Sequence, residues 1–148
     1  MSLVKWQSSG YYIYMNYWLV KADPDSDYSI EDLERDGETI WDGVHSNPAI
    51  LNIQKMKLGD LVYIYHSQKQ KAIVGLAEVA EEPFENKADP RRSWAVKLKF
   101  VRTFTKTITL AAIKSDPEMQ QFGLVRQSRL SVMPVPGEIQ HKLTTLVG

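Results

Sequence analysis

Leu61-Val62-Tyr63-Ile64-Tyr65-His66, then Ser67-Gln68-Lys69-Gln70-Lys71, then Ala72-Ile73-Val74-Gly75-Leu76-Ala77-Glu78-Val79 is the stretch that decides the fold. Two runs rich in β-branched and aromatic residues flank five polar ones, the pattern of two strands joined by a turn. Upstream, Tyr17-Trp18-Leu19-Val20 reads as another strand, which Asp23-Pro24 ends with turn residues. Ser29 precedes Ile30, Glu31, Asp32 and Leu33, predicting a capped short helix that stops before Gly37. Trp41 then falls with Asp42-Gly43 in a loop. Asn47 as cap and Pro48 in the first turn predict a second helix, with Ala49, Ile53 and Met56 on one face and Gly59-Asp60 as its stop.

Downstream, Pro83, Asn86 and Asp89-Pro90 mark a longer loop. Trp94, Val96, Leu98 and Phe100 alternate with Ala95, Lys97 and Lys99, a half-buried strand. A Thr-rich stretch leads to a weak helix near Leu110–Lys114. Asp116-Pro117 opens a short helix ending at Gly123, Arg129–Val135 reads as a last strand, and Pro136-Gly137 opens a final helix through Leu146. Strands adjacent in sequence, joined by a hairpin and long loops, predict an α+β fold. Its sheet is mixed and curved, or closed into a barrel, with short helices at its sides, and it is not doubly wound.

The chain has 148 residues, which suits one domain, with ordinary hydrophobic (43%) and charged (24%) fractions. It has no cysteine, so disulfides, thiolate nucleophiles and Cys-type zinc sites are excluded, and a reducing cytoplasm is the expected setting. No apolar run approaches the roughly 18 residues of a membrane span. Net charge is zero, which argues against a protein that grips long polyanions by charge alone. Residues 1–14 precede a second methionine, Met15, and lack the apolar core of a secretory signal. They read as an N-terminal extension, an added segment, or an extra strand around Tyr11–Tyr14; residues 15–148 form the domain.

Catalytic patterns are scarce. His45, His66 and His141 stand in no metal-ligand spacing, so no metal or cofactor is expected. His66 and Ser67 are neighbours on a strand and point to opposite faces, a poor nucleophile–base pair. There is no nucleophile elbow and no phosphate-binding P-loop. Glu31/Asp32 and Glu81/Glu82 read as a helix first turn and a solvated loop. Trp41 either caps the core, the commoner use of an indole, or lines a pocket mouth. Lys21 is a solvated head or a ligand contact. Arg126-Gln127-Ser128-Arg129 is a solvated edge or a phosphate contact.

In order along the chain stand Tyr17-Trp18-Leu19-Val20-Lys21-Ala22-Asp23-Pro24, Tyr28-Ser29 with Asp32-Leu33, and Trp41-Asp42-Gly43-Val44. Met56-Lys57-Leu58-Gly59-Asp60, Tyr65-His66-Ser67 and Ile73–Val79 follow, then Leu124-Val125-Arg126 and Arg129-Leu130-Ser131-Val132-Met133-Pro134-Val135. Together these segments resemble the EVE domain family over Asn16 to Gly148. The resemblance implies a PUA-like fold, shared with the YTH domains that hold a methylated adenine of RNA in an aromatic cage. It implies a non-catalytic domain that holds one modified base of a nucleic acid, DNA in preference to RNA, with modified cytosine the usual proposal. Trp41 matches the tryptophan expected to flank the base, and Lys21-Ala22 the strand end at the pocket floor. Two departures stand out. Ala22-Asp23 replaces the family's usual Ser-Glu, and His45 stands where many relatives carry arginine. Asn47, six residues after Trp41, matches an asparagine of the YTH relatives.

The expected base-binding set is therefore Lys21, Ala22, Trp41, Asp42, Asn47, Tyr65, His66 and Ser67, with Arg126 and Arg129 on phosphates. Stacking on an aromatic returns about 1–3 kcal/mol per base, against a few kcal/mol to extrude it. A buried methyl adds about 0.8 kcal/mol, roughly a fourfold preference. Two other readings stand beside it: a small enzyme acting on nucleotides or modified bases in the same pocket through Asp42 and His66, and a protein-interaction adaptor that has lost base binding.

Overall fold

The computed structural model describes residues 2–6 and 12–147. A two-stranded antiparallel sheet pairs β1 (Ser2–Trp6) with β2 (Tyr12–Met15), where the sequence offered a strand around Tyr11–Tyr14. The main sheet has six strands. They are β3 (Tyr17–Ala22), β4 (Glu38–Val44), β5 (Leu61–His66), β6 (Ala72–Glu85), β7 (Trp94–Thr109) and β8 (Val132–Val135). Their spatial order is β4-β7-β6-β5-β3-β8. β3 runs parallel to β5 and all other pairs are antiparallel, so the sheet is mixed as expected. β4 and β8 remain its two edges, so the sheet curves without closing into a barrel. Register shifts along the long β6–β7 pair mark the bulges that bend it.

The hairpin is as read, but β6 continues past Val79 to Glu85. Pro83 does not end it, because it falls in a register shift where no ladder bond is required. The Thr-rich stretch likewise stays extended to Thr109. Short helices cover the sheet: α1 (Ile30–Asp36), α2 (Asn47–Gln54), α3 (Leu110–Ser115), α4 (Gly123–Arg126) and α5 (Gly137–Thr144). Asp116 caps a single 3-10 turn at Pro117–Met119, and Gly123 opens α4 instead of ending a helix. The Ser29 hydroxyl and the Asp32 carboxylate exchange hydrogen bonds with each other's backbone N–H, both 3.0 Å, which fixes the start of α1. Gly37 ends it at φ +81°, a conformation a side chain resists. Ser46, not Asn47, caps α2, its hydroxyl accepting from the Ala49 N–H at 3.4 Å.

Ala49, Ile53 and Met56 are fully buried, and β3 is buried along its length except at Lys21. Gly75 is where α1 lies on the sheet: a Cβ there would stand 2.6 Å from Ile30 Cδ1 and 2.8 Å from the Arg102 carbonyl oxygen. Asp60 of the Gly59-Asp60 break is buried and accepts from Trp18 Nε1 at 2.9 Å and the Lys57 N–H at 2.9 Å, so its charge is matched by donors. No described helix is long and apolar enough to cross a membrane.

Candidate nucleic-acid interface

Two cavities flank the segment from β4 to α2. The first, about 250 Å³, is lined by Asp27, Tyr28, Thr39, Ile40, Trp41 and Asp42. Its walls follow from local rules. After β3, the Asp23 carboxylate accepts from the backbone of Asp25 and Ser26, and its carbonyl accepts from Asp27 and Tyr28 at 2.9 and 3.1 Å. That turn delivers Asp27 and Tyr28 to the start of α1. Opposite, β4 pairs with β7 through Trp41 and resumes at Val44, with Asp42 and Gly43 bulged out and Gly43 at φ +76°. Bulges re-aim side chains at the ends of strands.

Trp41 therefore lies in a strand, not the loop read from the sequence. The apparent turn signal Asp42-Gly43 is the bulge. Its indole is 8% exposed and belongs to the hydrophobic core, with an edge left on the cavity. The Tyr28 ring meets it edge-on, 6.2 Å between centroids and 88° between planes, and the Tyr28 hydroxyl donates to Asp36 at 2.7 Å. Perpendicular rings make a corner in which a flat ring can stack on one wall and abut the other. The cavity is acidic. Burial pushes the Asp27 carboxyl above its ordinary range, and the nearby Asp42 and Asp23 charges add to that.

The second cavity, about 440 Å³, is lined by Ser46, Pro48, Arg126, Gln127, Ser128, Arg129 and Leu130. α4 ends at Arg126, and the following loop is tied to β3 by Lys21. The Lys21 N–H donates to the Ser131 carbonyl at 3.0 Å, and its ammonium donates to the Ser128 carbonyl at 2.8 Å, 5.8 Å from the centre of the Tyr65 ring. Burial lowers the Lys21 pKa. Arg126 and Arg129 are exposed. Arg126 reaches only Gln121 at 3.4 Å, and Arg129 has no hydrogen bond or ion pair among the described residues.

The ten expected site residues thus fall into three groups. Trp41 and Asp42 line the acidic cavity. Arg126 and Arg129 line the basic one, with Lys21 tethering its loop and Tyr65 beneath Lys21; Asn47 does not line it but stands in sequence between its lining residues Ser46 and Pro48. Ala22, His66 and Ser67 are engaged elsewhere. The Ser67 N–H and hydroxyl both donate to the Ala22 carbonyl, at 2.8 and 3.1 Å. His66 is 2% exposed; its Nε2 accepts from the Ile30 N–H at 3.0 Å, which leaves Nδ1–H to donate to Gln70 Oε1 at 2.9 Å. These three lock the ends of β3 and β5 to the start of α1. Sequence reasoning missed Tyr28 and Asp27 as cavity residues, although Tyr28-Ser29 stood in plain view before a capped helix. Asn47 is also not free: its Oδ1 accepts from Arg92 at 3.2 Å.

The sequence pattern of the EVE domain matches residues 16–146. The chain belongs to the EVE domain family. Among curated relatives of this EVE domain, rat thymocyte nuclear protein 1 is 32% identical over 157 residues, covering 83% of this chain and 70% of the relative. Among solved structures, a Pseudomonas putida protein is 33% identical with a TM-score of 0.80, covering 88% of this chain and 98% of that one. The human THYN1 protein, solved in complex with DNA containing 5-methylcytosine, is 28% identical with a TM-score of 0.80, covering 88% and 96%. An ASCH structure from Zymomonas mobilis, at 13% identity and a TM-score of 0.62, shares the fold alone. The α+β, PUA-like expectation holds. The cytoplasmic expectation does not: the curated relatives are nuclear proteins by name, and absence of cysteine fails to separate two reducing compartments.

Proposed function

We propose that residues 15–148 form a non-catalytic domain that holds a single base of DNA, foremost a modified cytosine, in the cavity beside Trp41 and Tyr28, while Arg126 and Arg129 hold flanking phosphates. The observation that carries this reading is the THYN1 protein seen with DNA containing 5-methylcytosine, a chain that matches this one over 88% of its length. The two cavities supply matching chemistry. Carboxylates such as Asp42 and Asp27 accept from the amino group at cytosine C4, and guanidinium groups fork onto phosphate oxygens. Segments 1–14 lie outside this domain.

The reading assigns no catalytic step. His66, the expected acid–base partner of Asp42, has both ring nitrogens committed to Ile30 and Gln70. The test is titration of short oligodeoxynucleotides carrying cytosine or 5-methylcytosine, single- and double-stranded, with mass analysis of the recovered DNA. We expect binding, tighter to the methylated strand, and unchanged mass. Uniform absence of binding at low salt rejects the reading; a new product replaces it with an enzyme.

A further inference from the structure

The β6–β7 loop carries a cluster that the site above does not use. Its ends are drawn together by the Asn86 N–H on the Ser93 carbonyl at 2.9 Å. His45 sits against this loop, bonded to Asp89 at 2.6 Å through Nε2, with Arg91 2.9 Å from its Nδ1. A guanidinium only donates, so Nδ1 accepts and Nε2–H donates to Asp89. The Asp89 carboxylate also accepts from the Arg91 N–H at 2.9 Å, and this bond first, then His45, holds its pKa below the usual range. Asp89 is thereby used up by the loop itself. Arg92 points elsewhere, to Asn47, whose neighbours Ser46 and Pro48 line the basic cavity.

Arg126 and Arg129, from one segment, line the 440 Å³ cavity, and Arg92, from another, is held at Asn47 between the lining residues Ser46 and Pro48; none of the three is in a salt bridge among the described residues. Other cations of the chain, Arg35, Lys97, Lys99 and Lys142, pair with carboxylates. Arginines left unneutralised side by side raise the positive potential locally, even in a chain with zero net charge.

We infer that Arg92 is a third phosphate-binding arm of this cavity and that Asn47 is its positioning residue, not a reader of the base. The ligand is a phosphodiester of the strand that flanks the held base, so the inference rests on the reading above. Asn47 Oδ1 takes one N–H of Arg92 and leaves the others facing outward.

The experiment measures anisotropy of labelled single-stranded 12-mers, with one central cytosine or 5-methylcytosine, between 50 and 200 mM salt. Arg92→Ala should weaken both oligonucleotides alike and flatten the salt slope by about one unit, so the affinity loss across that range shrinks about fourfold. Asn47→Asp should weaken binding more than Asn47→Ala, since its carboxylate neutralises Arg92. Melting should be unaltered, because both side chains are exposed. An unchanged slope in Arg92→Ala while the wild type still prefers the methylated strand overturns this inference alone. A changed base preference in Asn47→Ala with an intact slope returns Asn47 to the base and also overturns it. A flattened slope with no methyl preference in the wild type supports the inference and rejects the base reading. No binding by the wild type rejects both.

Discussion

The two cavities are built on opposite plans. The one beside Trp41 is made of buried or half-buried rings on a strand and at a helix entrance, edged by carboxylates, and its groups are mostly satisfied within the protein. The one beside Arg129 is made of exposed side chains on a loop, tied down by Lys21, with donors left unspent. Asp42 and Ser46 are four residues apart, so the walls lie within about 14 Å of each other along the chain. The contrast shows how a chain with no net charge can still separate its charges between neighbouring cavities. Carboxylates edge one cavity and arginines in no salt bridge among the described residues edge the next, so on the proposed reading phosphate is disfavoured in the first and favoured in the second.

The largest effect should come from Trp41→Ala. With an indole only 8% exposed, truncation leaves a core cavity and should lower stability by about 3–5 kcal/mol, read by thermal or denaturant melting. A near-wild-type melt would show that the ring belongs to the ligand and not to the core, and would collapse the contrast between a rigid and a loose cavity. Tyr28→Ala comes next. It should cut affinity for the base by about 1–3 kcal/mol and erase the difference between cytosine and other bases, while affecting the salt slope little. Loss of slope instead would mean that the cavities act as one. Arg129→Ala should do the reverse: weaken all sequences alike, flatten the slope by about one unit, and leave melting unmoved. The smallest effect concerns pH. Asp27 has its pKa raised by burial and then by Asp42 and Asp23, so the folded state holds its proton more tightly than the unfolded chain does. That contribution is fully present below the unfolded pKa and is lost as pH rises through the raised folded value. Asp27→Asn should therefore stabilise slightly at neutral pH and not in acid, seen by comparing melts at the two pH values.

Much of the scaffold was legible because its signals are local. Alternation in Trp94–Phe100, the Ser29–Asp32 box and the polar tip between two apolar runs each encode one element. β4 was not legible, because Glu38–Val44 shows only the pair Ile40 out and Trp41 in, and Gly43 imitates a turn. Around the candidate site, adjacency in sequence was enough to bring Arg126 and Arg129 to one cavity. It could not place Tyr28 or Arg92, whose positions depend on the tertiary approach of α1 to β4 and of the β6–β7 loop to α2. Nor could it show that His66 is bonded to the start of α1 and Ser67 to the end of β3.

β8 lies against β3 with Tyr17 opposite Val135, a pairing that joins the two ends of the domain. Such long-range closure carries a loop entropy cost and forms late. During synthesis, β3 waits with one edge open until the last strand has left the ribosome, and the Arg126–Arg129 loop has no anchor on Lys21 before then. Nascent chains should consequently present an unformed basic cavity until the domain is nearly complete.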